Sequence, residues 1–289
     1  MEIFRTPIPI PIKPLLSHSQ SFVSLGSCFA DSIGQRLLRN KWEGLANPFG
    51  TLFHPFALFN LLKPKPALPE SLFLTNQGLV HHYYLPKTFF AASRKEFDQL
   101  WFTRHLSLHD HLHRPGTILI LTLGTSLLYA LSWQWVANCH QQPARLFEKR
   151  MGSVEEMLAA WNQTLPTLPS DCQIIITVSP VRHLKEGLVE SSLSKSLLRV
   201  LADEMVKSSP DRIHYFPAYE LLMDELRDYR FYEPDMLHPT EQAIDYIWLK
   251  FQAGFMTAEA KDLIIQWQKI LARLEHRPLH PQSEEYQSF

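Results

Sequence analysis

Ser27, in the pentapeptide Gly26-Ser27-Cys28-Phe29-Ala30, and the late segment Asp235-Met236-Leu237-His238 together supply a hydroxyl, an imidazole and a carboxylate. A serine hydroxyl becomes a nucleophile only when a base removes its proton, and the base works only when a third group holds its ring. Asp235 and His238 lie three residues apart, so one turn of helix or a tight loop puts both side chains on the same side. Asp235 is then expected to fix the imidazole, leaving its other nitrogen for Ser27, at about 2.6 to 3.2 Å from the hydroxyl oxygen.

The segment around Ser27 fits that role. Ser21 to Leu25 is apolar and β-prone, while Phe29, Ile33, Leu37 and Leu38 recur at helical spacing. Ser27 therefore falls where a strand ends and a helix begins, and helix N–H groups there favour developing negative charge. Pro239-Thr240-Glu241 opens a further helix directly after His238. Cys28 is the rival nucleophile, since a thiol at a helix N-terminus can have its pKa depressed. Neighbouring side chains at a turn point in different directions, so only one of the two can face His238.

The elements that must position these residues read as a parallel α/β fold. Apolar runs at 22–25, 117–123, 174–178 and 213–216 each end in small or polar residues, and helical patterns occupy 29–42, 93–112, 154–165 and 188–206. Continuous apolar strands alternating with helices imply a parallel sheet covered on both faces, with the strand ending at Leu25 expected at its centre. Ligands of such sheets bind at the carboxyl ends of the strands, where Ser27, Gly124 and Ser179-Pro180 all fall. Lys63-Pro64-Lys65-Pro66 breaks the pattern, and Asn76-Gln77-Gly78 between two short β-like runs predicts a hairpin inserted within about 63–92. The expected organisation is one domain over 1–252, followed by a C-terminal helix and a polar, mobile tail over 253–289.

Composition limits the partners. The 289 residues include 28 Lys plus Arg and 29 Asp plus Glu, a net charge of −1, and 45% are hydrophobic. No overall field attracts nucleic acid or anionic membrane, so a small molecule is the expected partner. Cys28, Cys139 and Cys172 are three, without framework spacing, which argues against a disulfide scaffold. No signal peptide is visible at the start, and with the cysteine count this predicts a cytoplasmic location. The uncharged stretch from Pro115 to Ala144 matches a membrane span in length, but Gly124-Thr125-Ser126 splits it into two shorter elements.

The chain resembles the GSCFA family, whose name spells residues 26 to 30, and through it a branch of the SGNH or GDSL-like hydrolase superfamily. The resemblance runs from Phe4 to about Trp248. It includes Asn47-Pro48-Phe49-Gly50, Leu123-Gly124-Thr125-Ser126, Asn138-Cys139-His140, Ser179-Pro180-Val181-Arg182-His183, Tyr215-Phe216-Pro217 and Asp235-Met236-Leu237-His238-Pro239. It implies a flavodoxin-like, three-layer α/β/α sandwich, with Ser27 as nucleophile and His238 and Asp235 as its partners. It also implies an oxyanion hole, built from backbone N–H groups at Ser27 and Gly50 and completed by an asparagine after the third strand. Here that block reads Gly124-Thr125-Ser126, so either the Ser126 hydroxyl or Asn138 from further along fills the place.

The resulting expectation is a serine hydrolase for an acyl ester of a small molecule or carbohydrate, needing no cofactor. An acyltransferase with the same site, or a catalytically weak binding protein on the same fold, are the alternatives. Arg182 and His183 follow a strand end and are candidate substrate contacts. His105, His109, His111 and His113 look metal-like, but the sparse carboxylates and absent cysteines nearby favour a solvated helix end. His81-His82 reads as hairpin surface, with lining of the pocket as the alternative, Cys139-His140 as structural or substrate-lining, and the run Asp224 to Tyr232 as a network holding Asp235.

Overall fold

The computed structural model describes residues 5–275. Five parallel strands form the main sheet: β1 (Phe22–Gly26), β2 (Gly44–Ala46), β5 (Ile118–Leu123), β9 (Gln173–Val178) and β10 (Ile213–Tyr215), in the order β10-β9-β5-β1-β2. Of the strands between them, β3 (Phe73–Asn76) and β4 (Leu79–His82) form an antiparallel hairpin. The others, β6 (Leu127–Leu131), β7 (Gln134–Val136) and β8 (Glu148–Met151), form a small antiparallel sheet.

Alternation along the core strands builds two apolar faces. Val23, Leu25, Leu119, Leu121, Ile174 and Ile176 point into one cluster, and Phe22, Ile118, Ile120 and Ile175 into the other. Helices α2 (Pro55–Leu62), α3 (Arg94–Leu112), α4 (Val154–Thr164) and α5 (Leu188–Ser208) contribute to the first cluster. The second takes residues from α1 (Cys28–Arg39), the short α6 (Ala218–Glu220), α7 (Glu241–Phe255) and α8 (Ala258–Glu275). The result is the expected three-layer α/β/α sandwich. Each fully buried Leu, Ile or Phe contributes roughly 1.5–3 kcal/mol.

β1 is internal, but β5 holds the middle of the sheet and β1 sits beside the edge strand β2, which corrects the expected central position. What matters for the site is that the chain leaves β1 toward β2 on one side and later crosses to β5 on the other. The carboxyl end of β1 is thus the place where strand order reverses and a crevice forms. Gly26 makes the exit possible: its φ is +143°, and a Cβ there would lie 2.2 Å from the Thr122 carbonyl oxygen.

The hairpin falls where Asn76-Gln77-Gly78 placed it, and Gly124-Thr125-Ser126 does divide the uncharged stretch, into β5 and β6. Sequence reasoning did not anticipate β2, α2 or the three-stranded sheet. It also missed the π-helical turn at Leu221–Leu226, closed by a bond from Arg227 N–H to the Leu222 carbonyl. The tail expected to be mobile lies outside the described residues apart from Glu275.

Candidate functional site

Ser27 caps α1. Its Oγ accepts from Phe29 N–H at 3.3 Å, and its backbone is extended, with φ −70° and ψ −179°. Asn47 fixes this turn from the next strand's end, accepting Gly26 N–H on Oδ1 at 2.9 Å and donating from Nδ2 to the Ser27 carbonyl at 3.3 Å. The serine is therefore held at a helix N-terminus at the sheet's switch point, and it is 1% exposed.

Asp235 and His238 come together as the spacing predicted. Asp235 Oδ2 lies 2.6 Å from His238 Nδ1, while Oδ1 accepts the N–H groups of Leu237 at 2.8 Å and His238 at 3.0 Å. The His238 side-chain bond, followed by these two amides, holds the Asp235 carboxyl down at about 2. Nδ1 is thereby engaged and Nε2 is left for another partner. The loop is pinned by a bridge between Tyr232 and Pro239, by Glu233 N–H to the His238 carbonyl and by Arg182 N–H to the Leu237 carbonyl. Both side chains remain 45% exposed.

The third member is not joined to them. Ser27 Oγ donates to Ser179 Oγ at 2.9 Å, and no hydrogen bond links Ser27 to His238 among the described residues. Ser179 sits at the end of β9 and its Oγ also accepts from Val181 N–H at 3.3 Å. Beneath it lies Lys195, 2% exposed, whose Nζ donates to the Ser179 and Gly124 carbonyls at 2.8 Å each. Burial pushes this lysine down to about 7. A neutral amine has two N–H groups, matching the two carbonyls it meets.

The expected oxyanion residues are each engaged elsewhere. Gly50, at φ +89°, donates its N–H to the Asn47 carbonyl at 2.7 Å, closing a turn. Ser126 donates its N–H to Ser194 Oγ at 2.8 Å and its hydroxyl to Met151 Sδ at 3.5 Å. Asn138 is a turn residue: Oδ1 accepts His140 N–H at 2.8 Å, and its own N–H bonds the Tyr83 carbonyl. The Gly50 N–H and the Ser126 N–H and hydroxyl thus already have partners here, and Asn138 uses its side-chain oxygen and its backbone N–H in local structure.

Arg182 and His183 stand at the expected ligand edge. The Arg182 guanidinium lies 4.0 Å from the Tyr232 ring centre and 5.4 Å from that of Tyr229. His183 Nε2 donates to the Gly124 carbonyl at 2.9 Å, and burial lowers its pKa. Both line a cavity of about 340 Å³ with Phe53, Leu127, Met151 and Leu237. Cys28, rival to Ser27, has its pKa raised, chiefly by desolvation, which lowers its thiolate content.

One reading of a polar cluster is corrected and another is narrowed. His81 and His82 are buried, 5% and 0% exposed: as consecutive strand residues they point to opposite faces, so the hairpin is covered on both faces here, and His82 bonds the Pro69 carbonyl through Nε2. The run Asp224 to Tyr232 does not grip Asp235 through its charges, because Asp228 pairs with Arg230 and Glu225 with Tyr246 and Lys250. Backbone bonds at Tyr232 and Glu233 hold the loop instead. His105 and His109 both donate from Nε2 to the Lys63 carbonyl, and His140 donates from Nε2 to the His82 carbonyl.

Lys195 is the residue that sequence reasoning passed over. Its signal was present: Ser191, Ser194, Lys195, Leu198 and Ala202 trace the buried stripe of α5, so a lysine sits where helical spacing demands an inward residue.

A profile described as the GSCFA family matches residues 21–251, and one described as GSCFA domain protein, C-terminal domain, matches 267–289. Neither a curated protein nor a solved structure matches the chain. With most of its length so matched, the chain belongs to the GSCFA family.

Proposed function

We propose that this protein is a serine hydrolase of the SGNH type acting on an acyl ester, with Ser27 as nucleophile, His238 as general base and Asp235 as the group that orients His238. The observation that carries this reading is the 2.6 Å contact between Asp235 and His238 Nδ1, and it is supported by Ser27 as the cap of α1 at the carboxyl end of β1. Ser27 Oγ attacks the acyl carbon as His238 Nε2 takes its proton, and the same nitrogen returns it to the departing alkoxide. Water then releases the acyl group by the reverse proton route. The reaction requires no cofactor. It does require the Ser27 hydroxyl to leave Ser179 and meet His238, a rotation at the serine combined with closure of the exposed loop.

A second reading, a small-molecule-binding protein of low catalytic power, draws support from the Ser27–Ser179 bond and from the occupied N–H groups of Gly50 and Ser126. Burst release of p-nitrophenol from short-chain p-nitrophenyl esters, compared with Ser27→Ala, separates the two. Adding alcohol acceptors then distinguishes hydrolysis from acyl transfer. Among the described residues no helix is long and apolar enough to cross a membrane. A small neutral ester and a cytoplasmic setting belong to the same proposal.

A further inference from the structure

Arg182 is a wall shared by two cavities, the second more polar than the first. On one side lies the 340 Å³ cavity with the apolar surfaces of Phe53, Leu127, Met151 and Leu237. On the other lies a space of about 400 Å³ bounded by Tyr219, Tyr229 and Tyr232 together with Asp224, Arg227 and Asp228. Tyr232 borders the second cavity and Leu237 the first, so the segment carrying Asp235 and leading into His238 runs from one to the other.

The second cavity has the chemistry of a site for a neutral polyhydroxylated ligand. Among the described residues the side chains of Asp224 and Arg227 make no hydrogen bond or ion pair, although both line it, whereas Asp228 is engaged by Arg230. Two arginines and two aspartates leave the lining without net charge, which disfavours an anion such as phosphate and equally a cation. Tyr229 is 65% exposed and offers an open ring, suited to the C–H face of a sugar, with Asp224 to accept from hydroxyls and Arg227 to donate to them. The Arg182 guanidinium is already ordered against Tyr232 at 4.0 Å, so little side-chain freedom is lost when a ligand reaches it. The π-helical turn at Leu221–Leu226, a distortion that occurs often at functional sites, forms part of the wall.

We infer that the substrate is an acylated carbohydrate whose sugar occupies the tyrosine cavity beside Asp224 and Arg227 while its acyl chain enters the apolar cavity of Phe53, Leu127 and Met151. The inference rests on the proposed esterase reading for placing the ester between the two cavities.

Octyl β-glucoside, used below its micelle-forming concentration, carries both halves without a cleavable ester. Titrated calorimetrically into full-length Ser27→Ala protein, it is expected to bind at least about tenfold more tightly than 1-octanol or methyl β-glucoside alone. Asp224→Ala, an exposed change, is expected to weaken the glycoside about tenfold and leave octanol unaffected. Leu127→Trp, which fills the apolar cavity, is expected to weaken both octyl compounds and spare methyl glucoside. Glycoside binding no tighter than octanol, or equal loss of both with Asp224→Ala, overturns the inference. Wild-type assays with p-nitrophenyl hexanoate keep the two failures apart. Binding of the glycoside without p-nitrophenol release sinks the esterase reading alone, and hydrolysis without sugar binding sinks the substrate assignment alone.

Discussion

His238 Nδ1 lies 2.6 Å from Asp235 Oδ2, and the other carboxylate oxygen accepts the main-chain N–H groups of Leu237 and His238 itself. One carboxylate therefore both shapes the loop and sets the ring it presents. Replacing it with the isosteric amide separates these tasks imperfectly but informatively. Asp235→Asn keeps an oxygen for the two amides yet offers either an N–H or a weaker acceptor to Nδ1, so the imidazole loses its tautomer preference. The expected result is a fall in kcat on the order of 10³- to 10⁴-fold with a small change in stability. A steady-state comparison with wild type checks it, and an unchanged kcat refutes the role.

The same pair predicts acid behaviour. The Asp235 carboxyl is held at about 2, below its ordinary 3.8, so whatever the pair contributes to loop order is present above the unfolded value and lost as pH falls through about 2. Carbon-detected NMR titration of Asp235 should show no protonation between pH 4 and 7. In a His238→Ala variant the midpoint should move upward, since the largest stabiliser of the anion is gone.

The choice between hydroxyl and thiol at residues 27 and 28 is open to a direct measurement. Ser27→Ala is expected to abolish ester turnover and labelling by a fluorophosphonate probe. Desolvation raises the Cys28 pKa, so iodoacetamide at neutral pH should leave turnover largely intact. Cys28→Ala should cost about 1 to 2 kcal/mol of stability at most, read by urea unfolding. An active Ser27→Ala together with an inactive, folded Cys28→Ala would make this a cysteine enzyme.

How far the sequence revealed the site follows from which interactions are local. The Asp235 and His238 pairing was legible because three residues of separation fix it within one loop, and Ser27 at a strand-to-helix turn was legible from the change of hydrophobic period. The Ser27–Ser179 bond spans 152 residues and depends on β1 and β9 flanking β5, which no spacing rule encodes. Local turn chemistry likewise decided Gly50 and Asn138, whose donors and acceptors close on Asn47 and His140. Short elements such as β2 carry too few residues for a periodic signal. The buried His81 and His82 looked like surface because polarity alone cannot reveal that a hairpin is covered on both faces.

Ser179 gives a test of the resting geometry. If its Oγ holds the Ser27 hydroxyl away from His238, Ser179→Ala removes the competing acceptor. The variant is then expected to react with the fluorophosphonate several-fold faster than wild type, while losing about 1 kcal/mol of stability with the buried hydrogen bond. Slower labelling in a folded variant would instead assign Ser179 to supporting the reactive arrangement.

Burial sets the sign of the pH dependence at Lys195. Its ammonium is driven from an ordinary 10.5 down to about 7 by desolvation, and among the described residues its protons go to the carbonyls of Gly124 and Ser179. Between pH 7 and 10.5 the unfolded chain binds more protons at this residue than the folded one, so its contribution to stability rises with pH across that window and is constant below it. Lys195→Met removes the titration and both carbonyl bonds. The stability difference, wild type minus variant, should therefore grow between pH 7 and 9.5 in paired urea-unfolding curves. A difference that stays flat would mean the folded lysine titrates near its ordinary value, with water or an unseen anion reaching it beneath the Ser179 turn.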